Sequence, residues 1–109
     1  MSRAKGDIAE ELACGFLLER GFFIVERNFY SRFGEIDIIA SKDDTLHFIE
    51  VKSGEDYEVA VANITAQKLS RLIKTGNIYL KKNFIDADFV YDAVIVTHQR
   101  VELIENITL

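Results

Sequence analysis

The chain contains no proline among its 109 residues, and no low-complexity tract. No stretch reads as a linker and no fixed-period repeat is present, so one domain covering residues 1–109 is expected. The single cysteine, Cys14, leaves no internal disulfide to form and gives no sign of an oxidising compartment. No apolar run is long enough to cross a bilayer. The start, Met1-Ser2-Arg3-Ala4-Lys5-Gly6-Asp7, runs into a segment holding Glu10, Glu11 and Glu19, which is not the pattern of a signal peptide. A cytoplasmic protein with no membrane partner is therefore expected. Positive charge is also short: the net charge is −5, which counts against general affinity for phosphates. That average hides a local asymmetry. Residues 59–85 hold no Asp or Glu but do hold Lys68, Arg71, Lys74, Lys81 and Lys82, enough for a basic face on an acidic protein.

What is present is an ordinary globular composition, 49% hydrophobic and 28% charged. Ile8, Ala9, Leu12, Ala13, Phe16 and Leu17 recur at helical spacing, which predicts an amphipathic helix over about 4–20, stopped at Gly21. Phe22-Phe23-Ile24-Val25 reads as a strand, and residues 29–34 as a polar-aromatic loop. Glu35 to Ala40 and Leu46 to Lys52 read as two strands of a hairpin about the turn 41–45. Residues 53–58 read as an exposed loop. A second helix is expected over about 62–81, with Ile64, Leu69, Leu72 and Ile73 inward and Gly76 weakening it. Strands near 89–97 and 101–107 complete the order α-β-β-β-α-β-β, an α/β fold with a mixed sheet and helices packed on it.

The chemistry gathers on the hairpin. Strand alternation puts Glu35 and Asp37 on one face and Ile36 and Ile38 on the other. On the partner strand, Glu50 and Lys52 share a face. If the faces match, Asp37, Glu50 and Lys52 converge at one edge of the sheet. Neighbouring carboxylates repel unless a cation or a proton lies between them. Mg²⁺ takes one or two carboxylates, waters and substrate phosphates, and a nearby lysine can orient water or neutralise developing charge. A Glu-x-Lys triplet alone arises by chance about 0.4 times in a chain of this length, so its placement carries the argument. Phe48-Ile49-Glu50-Val51-Lys52 is largely apolar and reads as a central strand, where a charged side chain is rarely unpaired. Helix phase adds a third acid. At about 100° per residue, Glu10 lies roughly 110° from the centre of the apolar stripe and Glu11 roughly 150°. Glu10 can therefore lean toward the sheet and Glu11 cannot.

Gly6-x2-Ala9-Glu10-x2-Ala13, Arg27-Asn28, Gly34-Glu35-Ile36-Asp37-Ile38-Ile39-Ala40 and Phe48-Ile49-Glu50-Val51-Lys52 closely resemble the YraN-type family of small bacterial proteins. That family looks like a branch of the restriction-endonuclease-like superfamily, similar to archaeal Holliday-junction resolvases. The resemblance implies a restriction-endonuclease-like single domain with a mixed central sheet flanked by helices. It also implies a Mg²⁺- or Mn²⁺-dependent endonuclease acting on DNA, branched or otherwise structured, and often a homodimer. Carried over by position, Asp37 and Glu50 would be metal ligands, Lys52 the catalytic lysine, Glu10 the helix acid acting directly or through water, and Glu35 a supporting acid. Two departures bear on DNA affinity. Ser53-Gly54 and then the acidic Glu55-Asp56-Tyr57-Glu58 follow Glu-Val-Lys, where a basic residue is usual, and that loop should lie near the site. Tyr91-Asp92 stands where an Arg-Phe-Asp element is expected.

Lys68, Arg71 and Lys74, with Gln67, are the candidate nucleic-acid contacts; a plain solvated face is the alternative. His47 points away from Glu50 and reads as structural, and His98 sits in a turn. Cys14 falls on the polar side of the first helix, with no partner to make it a nucleophile. Phe29, Tyr30 and Phe33, beside Arg27 and Arg32, read as caps on the core, with base stacking the alternative. The competing function is a non-catalytic nucleic-acid-binding or assembly module that keeps the nuclease fold. An RNA-directed or protein-interaction role is a third.

Overall fold

The computed structural model describes the backbone of residues 2–108 and side chains from residue 6 to 108; the start of the N-terminal segment, Met1 to Lys5, is thus outside the described side chains. Helix α1 (Ser2–Glu19) leads into strands β1 (Phe23–Ser31), β2 (Gly34–Lys42) and β3 (Thr45–Ser53). Helices α2 (Tyr57–Ala62) and α3 (Ala66–Lys82) follow, then strands β4 (Asp88–Val96) and β5 (Val101–Ile104). The sheet order is β1-β2-β3-β4-β5, antiparallel throughout except for the parallel β3–β4 pair. A parallel neighbour needs a crossover, and α2 and α3 provide it. The mixed α/β expectation holds, with helices on both faces of the sheet.

The differences in detail are local. The expected loop 29–34 is mostly strand: Phe29, Tyr30 and Ser31 pair with Ile36, Glu35 and Gly34, leaving Arg32-Phe33 as a two-residue turn. Asp43 and Asp44 close the β2–β3 hairpin, both at positive φ as the tight hairpin turn requires. The expected loop 53–58 ends in a helix start instead, because Asp56 caps α2 by accepting from the Val59 N–H at 2.9 Å. Thr65 caps α3 in the same way. Gly76 lies within α3 and sits against Tyr91, whose ring a β-carbon there would overlap.

One face of the sheet packs under α1. Ala9, Ala13, Cys14 and Leu17 bury against Ile38, Ala40, Ile49, Val94 and Val96. Cys14 is therefore core, 8% exposed, and not on the polar side as its phase suggested, while Ile8 and Leu12 are 62% and 51% exposed. Relative to the sequence pattern the helix is rolled by roughly 70°, counted at 100° per residue. Two alanines on the sheet side let the helix approach more closely than isoleucine and leucine would. The opposite face packs under α3 and α2, through Ile36, Ile39, Phe48, Tyr91, Leu72 and Tyr79, with Ala60 on Ala93 and Ile95. His47 lies on the α1 face, edge-on to Phe22, and bonds to the fully buried Asp92, which also accepts from the Asn106 N–H.

Candidate functional site

The site is built where strand alternation breaks. Ile38 packs under α1 while Ile36 packs under α3, so the expected common face for the two isoleucines does not exist. The change of face falls at Asp37. Across from it, between the pairs Arg27↔Ile38 and Phe29↔Ile36, Asn28 adopts a left-handed φ of 55°. Asparagine tolerates this region better than most residues with a β-carbon. The β2–β3 ladder runs from Lys42↔Thr45 to Ile38↔Ile49. Beyond it, the Asp37 side chain takes over by accepting from the Val51 N–H at 2.8 Å. Asp37 thus sits where two strands part.

A pocket of about 330 Å³ opens at this fork. Glu10 of α1, Glu35 and Asp37 of β2, and Glu50 and Lys52 of β3 all line it. The roll of α1 swings Glu10 further inward than the sequence pattern suggested: its side chain is 15% exposed against 67% for Glu11. The Asn28 amide donates to Glu10 Oε1 at 2.9 Å and to Glu35 Oε2 at 3.0 Å, holding an acid of the helix and an acid of the strand. Arg27 ties down Glu11 at 2.8 Å. Asn28 was visible in the sequence as part of Arg27-Asn28, but nothing there assigned it this role.

Asp37 is the electrostatic centre. Burial, then the neighbouring Glu50 charge, push its carboxyl up to about 8 against the opposing Val51 hydrogen bond, with smaller upward contributions from Glu10 and Glu35. Lys52 Nζ lies 3.1 Å from Glu50 Oε2. All the acidic donors are carboxylate oxygens, the ligands that hard divalent cations select. The set is short of positive charge at its deepest member, which is the condition a cation relieves. Among the described residues, no three His, Cys, Asp or Glu side chains stand close enough to form a ready-made metal cage. Lys52 instead pairs with Glu50, and the Asn28 amide bridges Glu10 and Glu35.

Helix α3 supplies the cationic wall. Lys68 and Arg71 line the pocket, and Lys52 nearby lowers the Lys68 pKa. Lys74 lies outside it, with its ammonium 5.2 Å from the Phe33 ring centre, and Gln67 is exposed and not part of the lining. The acidic segment after β3 does not line the pocket beyond Ser53: Glu55 faces a separate groove beside Ile8 and Leu12, and Asp56 is committed to its helix cap. Phe33 does line it, which reading the aromatics as core caps missed.

A family model described as "Uncharacterised protein family UPF0102" matches residues 9–104. A UPF0102 protein of Sulfurimonas denitrificans is 63% identical over 109 residues, covering the whole of both chains. One from Wolinella succinogenes is 55% identical over 109 residues, again covering both chains completely. One from Helicobacter pylori strain G27 is 57% identical over 106 residues, 97% of this chain and 92% of that protein. No described helix is long and apolar enough to cross a membrane.

Proposed function

The chain belongs to the uncharacterised protein family UPF0102, and from that footing we propose that its acidic pocket is the active site of a Mg²⁺- or Mn²⁺-dependent endonuclease that hydrolyses DNA. One observation carries the reading: a buried carboxyl, Asp37, pushed up to about 8, shares a pocket with Glu10, Glu50 and Lys52, the four together drawn from three separate elements. Perturbed carboxyls in a cleft with a specific charged neighbour are a physical mark of function. In this reading Asp37 and Glu50 would hold the cation, and Glu10 would assist directly or through water. A bound cation of this kind supplies an activated water and stabilises the leaving oxygen.

The chain's own groups account for the rest. Lys52 leaves Glu50 for the water or the scissile phosphate and neutralises charge as it develops. Lys68 and Arg71 on the facing wall hold backbone phosphates in reach of the acids. Asn28 keeps Glu10 and Glu35 aimed while substrate enters. Phosphates would otherwise be repelled by the four acids, so the cationic wall and the cation share the work of drawing them in.

The test is incubation of the purified protein with Mn²⁺ and branched DNA. Cleavage that Asp37→Asn abolishes is the expected result. A folded wild-type protein that neither cleaves varied DNA substrates nor gains thermal stability from Mn²⁺ overturns the reading. A second reading, a nucleic-acid-binding module that keeps the fold without cleaving, is favoured by the absence of a ready-made metal cage among the described residues. Salt-dependent DNA binding that is indifferent to Asp37→Asn marks that outcome.

A further inference from the structure

We propose that Phe33 is a stacking platform for an unpaired nucleobase of the substrate, presented at the lip of the acidic pocket between Arg32 and Lys74. The class of ligand rests on the nucleic-acid reading given above; the geometry stands without it. Phe33 is the second residue of the tight β1–β2 turn and lines the same pocket as Asp37 and Glu50. Its ring is only half-buried. The Arg32 guanidinium carbon is 4.9 Å from the ring centre and the Lys74 ammonium 5.2 Å.

A hydrophobic ring on a mobile hairpin tip would be an ordinary surface feature, but this turn is fixed. The Phe33 N–H donates to Ser31 Oγ at 3.0 Å, and Ser31 Oγ hydrogen-bonds to Thr75 Oγ1 at 2.8 Å. Thr75 is fully buried in α3. At Gly34 a β-carbon would sit 3.7 Å from Arg71 Cβ, so the strand after the turn runs directly against the same helix. The ring is thus preorganised relative to Lys68 and Arg71, and little conformational freedom is lost when it takes a ligand.

The charge balance points to what that ligand is. On a chain of net charge −5, with four carboxylates in the pocket, coulombic attraction supplies a limited share of the affinity for nucleic acid. Stacking on an aromatic face is insensitive to that balance. Arg32 and Lys74, exposed side chains that lie over the ring, would swing aside for a base, and the Arg32 guanidinium can then stack on that base as readily as on phenylalanine. Bases in an intact duplex offer edges in the grooves, not faces. A ring beside the site therefore favours a base already out of the stack, in single-stranded DNA or at a branch point, because no unstacking cost is then incurred.

The protein has no tryptophan, so Phe33→Trp introduces a single indole whose emission reports stacking directly. The titration is run in EDTA, where no cleavage occurs, with an oligothymidylate of roughly 12 nucleotides and with a blunt duplex of the same length. Quenching by the single strand but not by the duplex is expected. Phe33→Leu, measured by anisotropy of a labelled strand, should bind about 5- to 150-fold more weakly, the range for losing one stacked base, and Phe33→Tyr should restore binding. No quenching, equal quenching by duplex, or wild-type binding by a folded Phe33→Leu protein overturns the proposal. If Phe33→Trp does not fold, the Leu and Tyr variants decide alone. Failure here with Mn²⁺-dependent cleavage intact leaves the nuclease reading standing. Quenching by an inactive protein does the reverse.

Discussion

Ile36 and Ile38, two positions apart on one strand, are buried on opposite faces of the sheet, Ile36 beneath Leu72 and Tyr79 and Ile38 beneath Ala9 and Ala13. The residue between them is Asp37. Its carboxylate replaces a missing rung of the ladder by binding the Val51 N–H, and it enters the pocket because regular pairing fails there. The irregularity and the site are the same feature.

Asn28 faces that irregularity, and its contribution divides into backbone and side chain. Asn28→Ala places a β-carbon without a compensating amide at φ 55°, a strain of about 1–2 kcal/mol. Asn28→Gly removes the strain but also the amide that holds Glu10 and Glu35. Chemical denaturation should rank stability wild type > Gly > Ala. Mn²⁺ affinity by calorimetry should fall in both variants alike, because both lose the same two hydrogen bonds.

The Asp37 carboxyl, raised from an ordinary 3.8 to about 8, makes stability depend on pH in a defined direction. Between those values the folded chain keeps a proton that the unfolded chain has lost, so metal-free stability falls as pH rises through the window. Above it the full repulsion is present. Asp37→Asn keeps an acceptor for Val51 and removes the charge. It should flatten the profile and be the more stable protein above pH 8 by roughly 1–3 kcal/mol. Melting curves in EDTA across this range check the sign, and a profile that rises toward pH 8 contradicts it. Mn²⁺ binding should strengthen as pH rises over the same interval, because the ligand form is the deprotonated one.

Lys52 Nζ lies 3.1 Å from Glu50 Oε2, so under the proposed nuclease reading it would compete with a cation for that carboxylate. Lys52→Ala should therefore bind Mn²⁺ at least as tightly as wild type while cleaving on the order of 10²–10³ more slowly, the usual loss for one group that stabilises developing charge. Weaker Mn²⁺ binding in this variant would mean that the ammonium organises the acids.

Tyr91 closes against Gly76 and donates to the Ile73 carbonyl at 3.2 Å, and burial pushes its phenol up to about 12. Gly76→Ala gains helix propensity but overlaps that ring. A net destabilisation of about 1–3 kcal/mol is expected by denaturant titration. In the Tyr91→Leu background the same change should cost little or stabilise, and additivity between the two would count against the packing account.

Much of this arrangement is legible in the amino-acid order because it follows from period. The two-residue alternation of Leu46 to Lys52 puts Glu50 and Lys52 together and sends His47 to the other side. The helical period separates Glu10 from Glu11. Where the reading fails, tertiary contact overrides period. Ile8 and Leu12 match the helical stripe, but Ala9 and Ala13 win the sheet because they are small, which rolls Cys14 inward and Glu10 toward the pocket. The face change at Asp37 coincides with the left-handed Asn28 opposite it on another strand, a non-local relationship that no window of residues contains. Asp56 is an acidic residue in a loop until its carboxylate is seen to cap a helix. Lys74 and Gln67 fall outside the pocket because α3 turns about 100° per residue and presents Lys68, Arg71 and Leu72 to it.

The lone parallel pair has a consequence for how the molecule comes together. Strands β1, β2 and β3 are joined by two-residue turns, so their ladder closes at small loop entropy and forms on local contacts. Strand β4 can join β3 only after α2 and α3 have bridged the sheet. The hairpin carrying Asp37 and Glu50 is therefore expected to form before the wall carrying Lys68 and Arg71 docks. A nascent chain would hold Asp37 and Glu50 together with Lys52 as their one basic neighbour before Lys68 and Arg71 face them, and divalent cations in the refolding buffer should then accelerate the earliest phase.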